Sequence, residues 1–476
     1  MTSSTNKLKR LESQPENPFS KLVSNQTIVE IPEFQLENGD VIYNVPIAYK
    51  TWGKLNKEGN NCMVICHALT GSADVSDWWG PLLGKDKAFD PTKFFIICSN
   101  SFGSPYGSAS PVTKDPETGE IYGPEFPLTT IRDDVNAHKL ILDDLGVKQI
   151  AIVIGGSMGG MLSLEWLFLG KEYVKTCVAL ATSARHSAWC ISWGEAQRQC
   201  IYSDPKYEEG YYSLDDPPSN GLSAARMAAL LTYRSRNSFE ARFGRNDGNK
   251  RNGKLKTLAE DNWTIHNDGL KSARHVLRKS SLSSSTELYS PQSSSIRRDS
   301  TDSISSITSS TSSISPPHFF SAQSYLRYQG EKFVKRFDAN CYIAITRKLD
   351  THDVSRDRPE FENSIEKALG SLQQPTLVIG IKSDALFTYS EQQSLAKYLP
   401  KARLEKIDSP EGHDAFLLEF ESINKLILDF ENENLKELML QRVAGAEEMV
   451  KAQENNDMNV KKDSVFGEVE ADITQW

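Results

Sequence analysis

The sequence predicts an α/β fold, a mostly parallel central sheet with helices packed against it. Three observations carry that prediction. Short apolar runs rich in β-branched residues, too short for helices, alternate along the 476-residue chain with stretches of helix-forming composition. One of these runs, residues 149–154, passes through Gly155-Gly156-Ser157-Met158-Gly159-Gly160 into a helix-forming segment at 161–167. Strand, small-residue turn and helix, with a serine at the apex, is the setting in which Gly-x-Ser-x-Gly acts as a nucleophile elbow. Finally, the last two strand-like runs are followed by loops that hold Asp384 and His413.

In chain order, residues 1–25 are polar and charged and are expected to form a flexible arm. Apolar and polar residues then alternate through 28–31 and 43–49 around Glu37-Asn38-Gly39-Asp40, the pattern of a hairpin-like antiparallel start. Residues 63–66 make a short buried strand that runs into His67-Ala68-Leu69-Thr70-Gly71, and 94–98 make another that ends in the Gly- and Ser-rich loop 99–110. Thr130, with Asp133 three residues on, caps a helix whose apolar face carries Ile131, Val135, Leu142 and Leu145 and whose stop is Gly146. Residues 176–180 are one more buried strand, so 26–182 read as the first part of the core.

Residues 183–243 turn helical and are expected to begin a lid over the carboxyl edge of the sheet. Residues 244–317 are polar, dominated by Ser and Thr from 280 to 315, and too poor in apolar side chains to offset the entropy of ordering. A disordered Ser-rich insertion is expected there. The helical pattern resumes over 318–355 as the second part of the lid, 356–432 complete the core with strands at 376–380 and 403–407, and 433–476 form a charged tail.

The net charge of −9 argues against a nucleic-acid or membrane-surface partner, which would call for a basic patch. Seven cysteines without paired CxxC units suggest reduced thiols in an intracellular, cytoplasmic setting rather than a disulfide framework or a zinc site. The first thirty residues lack an apolar signal core and no run of eighteen apolar residues occurs, so no membrane span is expected.

A serine nucleophile needs a base, and the base needs an orienting carboxylate. In α/β-hydrolase folds the three come in the order Ser, acid, His, the last two on loops after the final strands. Ser157, Asp384 and His413 satisfy both order and placement. Asp350 and Asp353 are rival acids, but they precede the 376–380 strand, and His67, His138 and His186 precede any acid in that order and read as structural. The oxyanion needs two backbone donors, for which Met158, after the nucleophile, and Leu69, in the loop after the 63–66 strand, are the candidates. Arg226 by itself reads as a helix-surface arginine.

His-Ala-Leu-Thr-Gly at 67–71, Gly-Gly-Ser-Met-Gly-Gly-Met at 155–161, Leu-Thr-Tyr-Arg-Ser at 231–235, Tyr-Gln-Gly-Glu-Lys-Phe at 328–333, Arg-Phe-Asp-Ala-Asn at 336–340 and Gly-His-Asp-Ala-Phe-Leu at 412–417 closely resemble the homoserine O-acetyltransferases, their fungal form in particular. The resemblance runs from about residue 26 to 430 apart from the insertion, with the motifs in family order. It implies ping-pong acetyl transfer from acetyl-CoA, a co-substrate rather than a bound cofactor, to the side-chain hydroxyl of L-homoserine on the way to methionine. No metal is implied. It also implies that Arg226 holds the substrate carboxylate, that Asp414 holds its ammonium, that Tyr233 and Arg234 help to build the tunnel, and that the chain forms a homodimer through lid helices. L-serine as acceptor, succinyl-CoA as donor, a plain esterase and a non-catalytic binding protein are the rival readings. No Gly-Lys-Thr or Gly-Lys-Ser motif marks a phosphate cradle, so the residues that grip CoA are not legible. In the insertion, Arg297-Arg298-Asp299-Ser300 is the kind of basic-preceded serine that invites phosphorylation.

Overall fold

The computed structural model describes residues 7–246, 262, 266–270 and 320–448. Ser300, nearly all of the insertion expected at 244–317 and the tail from 449 onward lie outside the described residues. The chain divides into two compact units: residues up to Gly244 with those from Tyr328 make the larger, and Arg245–Arg327 the smaller. Within the smaller unit, Arg327 pairs with Asp268 at 2.8 Å and Ser321 N–H donates to Asn246 O.

Nine strands among the described residues form one sheet in the order β1-β2-β3-β5-β4-β6-β7-β8-β9. β1 (Lys9–Leu11), β2 (Thr27–Gln35) and β3 (Val41–Trp52) are antiparallel, and β3 runs antiparallel to β5 (Phe95–Ser99). From β5 onward, β4 (Cys62–Cys66), β6 (Ile150–Gly156), β7 (Val174–Leu180), β8 (Thr376–Ile381) and β9 (Ala402–Ile407) are parallel. Every residue of β4, β5, β6 and β8 is buried, which is why these strands read as unbroken apolar runs. Alternate side chains feed two cores: Cys62, Val64 and Cys66 of β4 enter one, Met63 and Ile65 the other.

The longer helices are α1 (Ile131–Asp144), α2 (Met158–Trp166), α3 (Ala188–Tyr202), α4 (Ser219–Tyr233), α5 (Ser321–Phe333), α6 (Ala339–Asp350), α7 (Tyr389–Tyr398) and α8 (Phe420–Asn434). α1 begins with the capping box that its sequence predicts. The Thr130 hydroxyl accepts from Asp133 N–H at 3.2 Å and the Asp133 carboxylate from Thr130 N–H at 2.8 Å, while Gly146, at φ +83°, ends the turn.

Residues 7–25 depart from the expected flexible arm. β1 is paired with β2, and Asn17, fully buried, donates its amide to Pro105 O at 2.8 Å, as Gln14 does to Gly107 O. Composition counts such polar side chains as solvent-seeking. Here they satisfy carbonyls of the Gly- and Ser-rich loop after β5 that would otherwise be buried without partners.

An ion pair with both side chains 0% exposed ties α6 to α1: Lys348 Nζ lies 2.6 Å from Asp134 and also donates to Phe102 O at 2.7 Å. Burial works against both charges, raising the pKa of Asp134 and lowering that of Lys348. Lys348→Met leaves a buried carboxylate uncompensated and is expected to cost roughly 3–5 kcal/mol in urea unfolding, with Lys348→Met/Asp134→Leu recovering much of the loss. A loss below about 1 kcal/mol for the single variant would contradict this account of the pair.

Candidate active site

β6 delivers Ser157 at its carboxyl end, and α2 starts at the next residue. Ser157 sits at φ +59° and ψ −124°, a region that costs a non-glycine residue about 1–3 kcal/mol. Its surroundings hold it there. Ser157 N–H donates to Leu180 O at 3.0 Å, Thr182 Oγ1 donates to Ser157 O at 2.8 Å, and a Cβ on Gly159 would lie 2.1 Å from Cys66 O. The glycine lets the elbow press against the end of β4. Met158 N–H, the first of the helix, has no intrahelical acceptor and lies at the positive end of the helix dipole.

His413 Nε2 is 2.9 Å from Ser157 Oγ, and its Nδ1 is 2.7 Å from Asp384 Oδ2. A carboxylate only accepts, so Nδ1 carries the ring proton and Nε2 accepts from the serine hydroxyl. Asp384 is aimed by its own loop, Oδ1 accepting from Leu386 N–H at 2.8 Å and Phe387 N–H at 2.9 Å. All three side chains are buried, and the imidazole packs against the rings of Phe387 and Phe416, each at 5.2 Å. The rival acids are engaged elsewhere: Asp350 pairs with Arg198 at 2.8 Å and Asp353 with Arg185 at 2.5 Å.

The loop that carries His413 is fastened from the end of α4. Arg234 pairs through Nε with Asp414 at 2.8 Å and through Nη1 with Glu411, bracketing Gly412 and His413. Gly412, at φ +73°, lies so near α4 that a Cβ would be 2.5 Å from Ser235 N. The sequence reading gave Arg234 only a place in the tunnel wall. Its pairing with two carboxylates some 180 residues away leaves no periodic trace, though a buried arginine beside the tyrosine of Leu-Thr-Tyr-Arg-Ser was there to be weighed.

Ser157, His413, Asp414, Leu69 and Tyr233 line one open cleft, walled further by Cys190, Trp193, Leu386 and Phe387. Arg226 is not on that lining. It is 1% exposed, its guanidinium 5.6 Å from the ring of Tyr233 and 5.0 Å from that of Phe333. The helix-surface position expected from sequence alone is thereby corrected. Small neighbours on α4 such as Ala225 and Ala229 make its buried face look weaker than it is. Among the described residues, no group of three or more His, Cys, Asp or Glu side chains is placed to hold a metal ion.

The alpha/beta hydrolase fold family matches residues 61–420. Among solved structures, homoserine O-acetyltransferase from Bacillus anthracis superposes with a TM-score of 0.67 at 20% identity over 88% of this chain and 98% of its own. Esterase E22 does so with a TM-score of 0.64 at 23% identity over 85% and 99%. These likenesses establish the fold and leave the chemistry open. A curated relative, homoserine O-acetyltransferase of Emericella nidulans, is 59% identical over 99% of both chains. This chain belongs to the homoserine O-acetyltransferase family.

In this member of the homoserine O-acetyltransferase family a further carboxyl, which sequence reasoning missed, lies near the Asp384–His413 pair. Glu391, in the first turn of α7, has its Oε2 buried without a hydrogen-bond partner. Desolvation pushes its pKa up to about 7, opposed next by the Thr388 backbone hydrogen bond, with smaller contributions from the charge of Asp384, which raises it, and of His413, which lowers it. A carboxyl with a raised folded pKa binds more protons folded than unfolded, so its ionisation removes stability as pH rises from the unfolded value near 4.5 to about 7. Glu391→Gln has no such charge. Its melting temperature relative to wild type is expected to climb between pH 5 and 7.5, and a constant difference across that range would show that Glu391 does not titrate there.

Proposed function

We propose that this chain transfers the acetyl group of acetyl-CoA to the side-chain hydroxyl of L-homoserine, giving O-acetyl-L-homoserine and CoA in methionine biosynthesis. The observation that carries the reading is the 59% identity over 99% of both chains to a homoserine O-acetyltransferase, joined to the hydrogen-bonded chain Asp384–His413–Ser157. In the first half-reaction, His413 Nε2 takes the Ser157 proton as Oγ attacks the thioester carbon. The C–S bond breaks, and CoA leaves as its thiol, carrying off the proton that His413 had taken from Ser157. In the second, His413 deprotonates the homoserine hydroxyl, which attacks the acetyl-enzyme, and the proton returns to Ser157 as the ester leaves.

Two backbone N–H groups, Met158 and Leu69, stabilise the tetrahedral oxyanion in both halves. Asp414, on the cleft lining, takes the substrate ammonium, and Arg226, off the lining and 5.6 Å from the ring of Tyr233, takes the carboxylate in a fork once the Tyr233 side chain moves aside. Arg234, paired with Asp414 at 2.8 Å, fixes the position of that carboxylate on the cleft wall. Helices from 183–243 and 318–355 act as the lid that keeps water from the acyl-enzyme, since α3, α4 and α6 all contribute walls of the cleft. The substrates are small molecules of the cytoplasm, where the enzyme works as a homodimer.

Intact mass spectrometry after brief mixing with acetyl-CoA should show one added acetyl group on wild type and none on Ser157→Ala. L-homoserine should discharge it quickly, with L-serine and water slow. Ser157→Ala is expected to lower kcat by roughly a millionfold and Asp384→Asn by about ten-thousandfold. Fast discharge by water would make the chain an esterase, and an adduct formed only from succinyl-CoA would move the donor.

A further inference from the structure

The loop after β4 is held in place by its own first residue. His67 is buried, and both ring nitrogens are engaged: Nδ1 lies 2.8 Å from Ala68 O, and Nε2 lies 3.0 Å from the backbone N of Ser101. Ser101 N–H can only donate, so Nε2 accepts, and the ring proton sits on Nδ1, from which it is given to Ala68 O. The partners thus fix the tautomer. A second donor, Gly71 N–H, reaches the same carbonyl at 3.0 Å.

The described residues contain no cis peptide bond, so the Ala68–Leu69 amide is trans, with its C=O and N–H pointing in opposite directions. Ala68 O is drawn towards His67 and Gly71, and the Leu69 N–H on the far side of the same rigid plane is turned away from them. Ala68, Leu69 and Thr70 all line the cleft that contains Ser157.

We propose that His67 is a positioning residue for acyl transfer: by fixing the Ala68 carbonyl, its Nδ1–H sets the plane of the Ala68–Leu69 amide and aims the Leu69 N–H at the oxyanion formed on Ser157. This rests on the reading of Ser157 as nucleophile and Leu69 N–H as oxyanion donor. The device needs a neutral imidazole, because a second ring proton would set Nε2–H against Ser101 N–H. Burial supplies that neutrality by lowering the His67 pKa to about 4, with His138 and Lys348 pressing the same way and the Ala68 hydrogen bond and Asp134 opposing. Losing one oxyanion donor outright costs about 10²–10³ in kcat, and a rotated amide forfeits a share of that because hydrogen bonds weaken steeply off line.

The test uses two amides that each keep one of the two bonds. His67→Asn places an N–H where Nδ1 stands and has nothing at Nε2, whereas His67→Gln reaches the Nε2 position and leaves Ala68 O without its side-chain donor. Both are assayed with p-nitrophenyl acetate, which needs the serine and the oxyanion donors but neither CoA nor homoserine, and with acetyl-CoA plus homoserine. His67→Asn is expected to stay within about 3-fold of wild-type kcat and His67→Gln to fall roughly 10- to 100-fold in both assays, with KM for homoserine unchanged and the two variants melting alike. Equal losses in the two variants, or a loss confined to the homoserine KM, overturn the proposal. The ester assay is blind to donor and acceptor, so the expected pattern there without acetyl transfer to homoserine would overturn the substrate reading alone. Should neither variant fold, wild type carrying a dialkyl phosphate on Ser157 decides the matter crystallographically. A phosphoryl oxygen within hydrogen-bond distance of Leu69 N is expected, and one out of reach of it overturns the aim assigned to that amide.

Discussion

Everything in the site depends on two hydrogen bonds, Asp384 to His413 at 2.7 Å and His413 to Ser157 at 2.9 Å, that join three loops far apart in sequence. The parallel sheet makes such convergence affordable. Gly156 pairs with Leu180 and Leu180 with Ile379, while Ile381 pairs with Ile407, so β6 and β7 end together and β8 and β9 end together two residues further along the same edge. Loops leaving those ends start from one edge, and each has only a short way to reach. A slip of one residue in any of these pairings would move one loop by about 3.3 Å and break the chain of bonds.

Strand ends on one edge bring the loops near one another, but side chains and backbone fix their conformations. Ser157 is held in a strained geometry by bonds to Leu180 and Thr182, Asp384 by two backbone N–H groups of its own loop, and Gly412 by Ser383 Oγ at 2.9 Å. The helical segments add three buried cations. Arg234 holds the His413 loop, Arg336 donates to Thr70 O in the loop after β4 and to Tyr106 OH, and Lys348 donates to Phe102 O after β5. The helices that wall the cleft and the loops that line it are therefore one mechanical unit. A change in the helical segments reaches the chemistry through these cations without touching the substrate.

Much of this was legible in the sequence because the relevant physics is local. The elbow follows from glycines beside a strand-forming run, the α1 capping box from Thr130 and Asp133, and the placement of Asp384 and His413 from the strands just before them. What the sequence concealed is long-range pairing of polar groups. Asn17 and Gln14 look like solvent-exposed arm residues until the carbonyls of Pro105 and Gly107 are in place, and Arg226 looks like a surface arginine until Tyr233 and Phe333 close over it. His67 was read as merely structural, since no spacing rule shows that its two nitrogens meet Ala68 and Ser101. Charge and hydrogen-bond complementarity across tens to hundreds of residues has no period and leaves composition unchanged.

The fold is shared with esterases, so preference for an amine-bearing alcohol over water must come from what surrounds the serine rather than from the serine itself. Water is far more concentrated than any metabolite, and the acceptor hydroxyl can win only if binding its other end holds it against the acyl carbon at a high effective concentration. The charges around the cleft suit that purpose. Arg234 and Arg242 stand against Asp414 and Glu411, two positive and two negative groups, so this cluster is close to neutral before the substrate arrives. A zwitterionic amino acid adds one charge of each sign and keeps it so. An acceptor with only one charged end would leave a buried charge uncompensated, and the several kilocalories per mole that such a charge costs would set the specificity before any bond is made or broken.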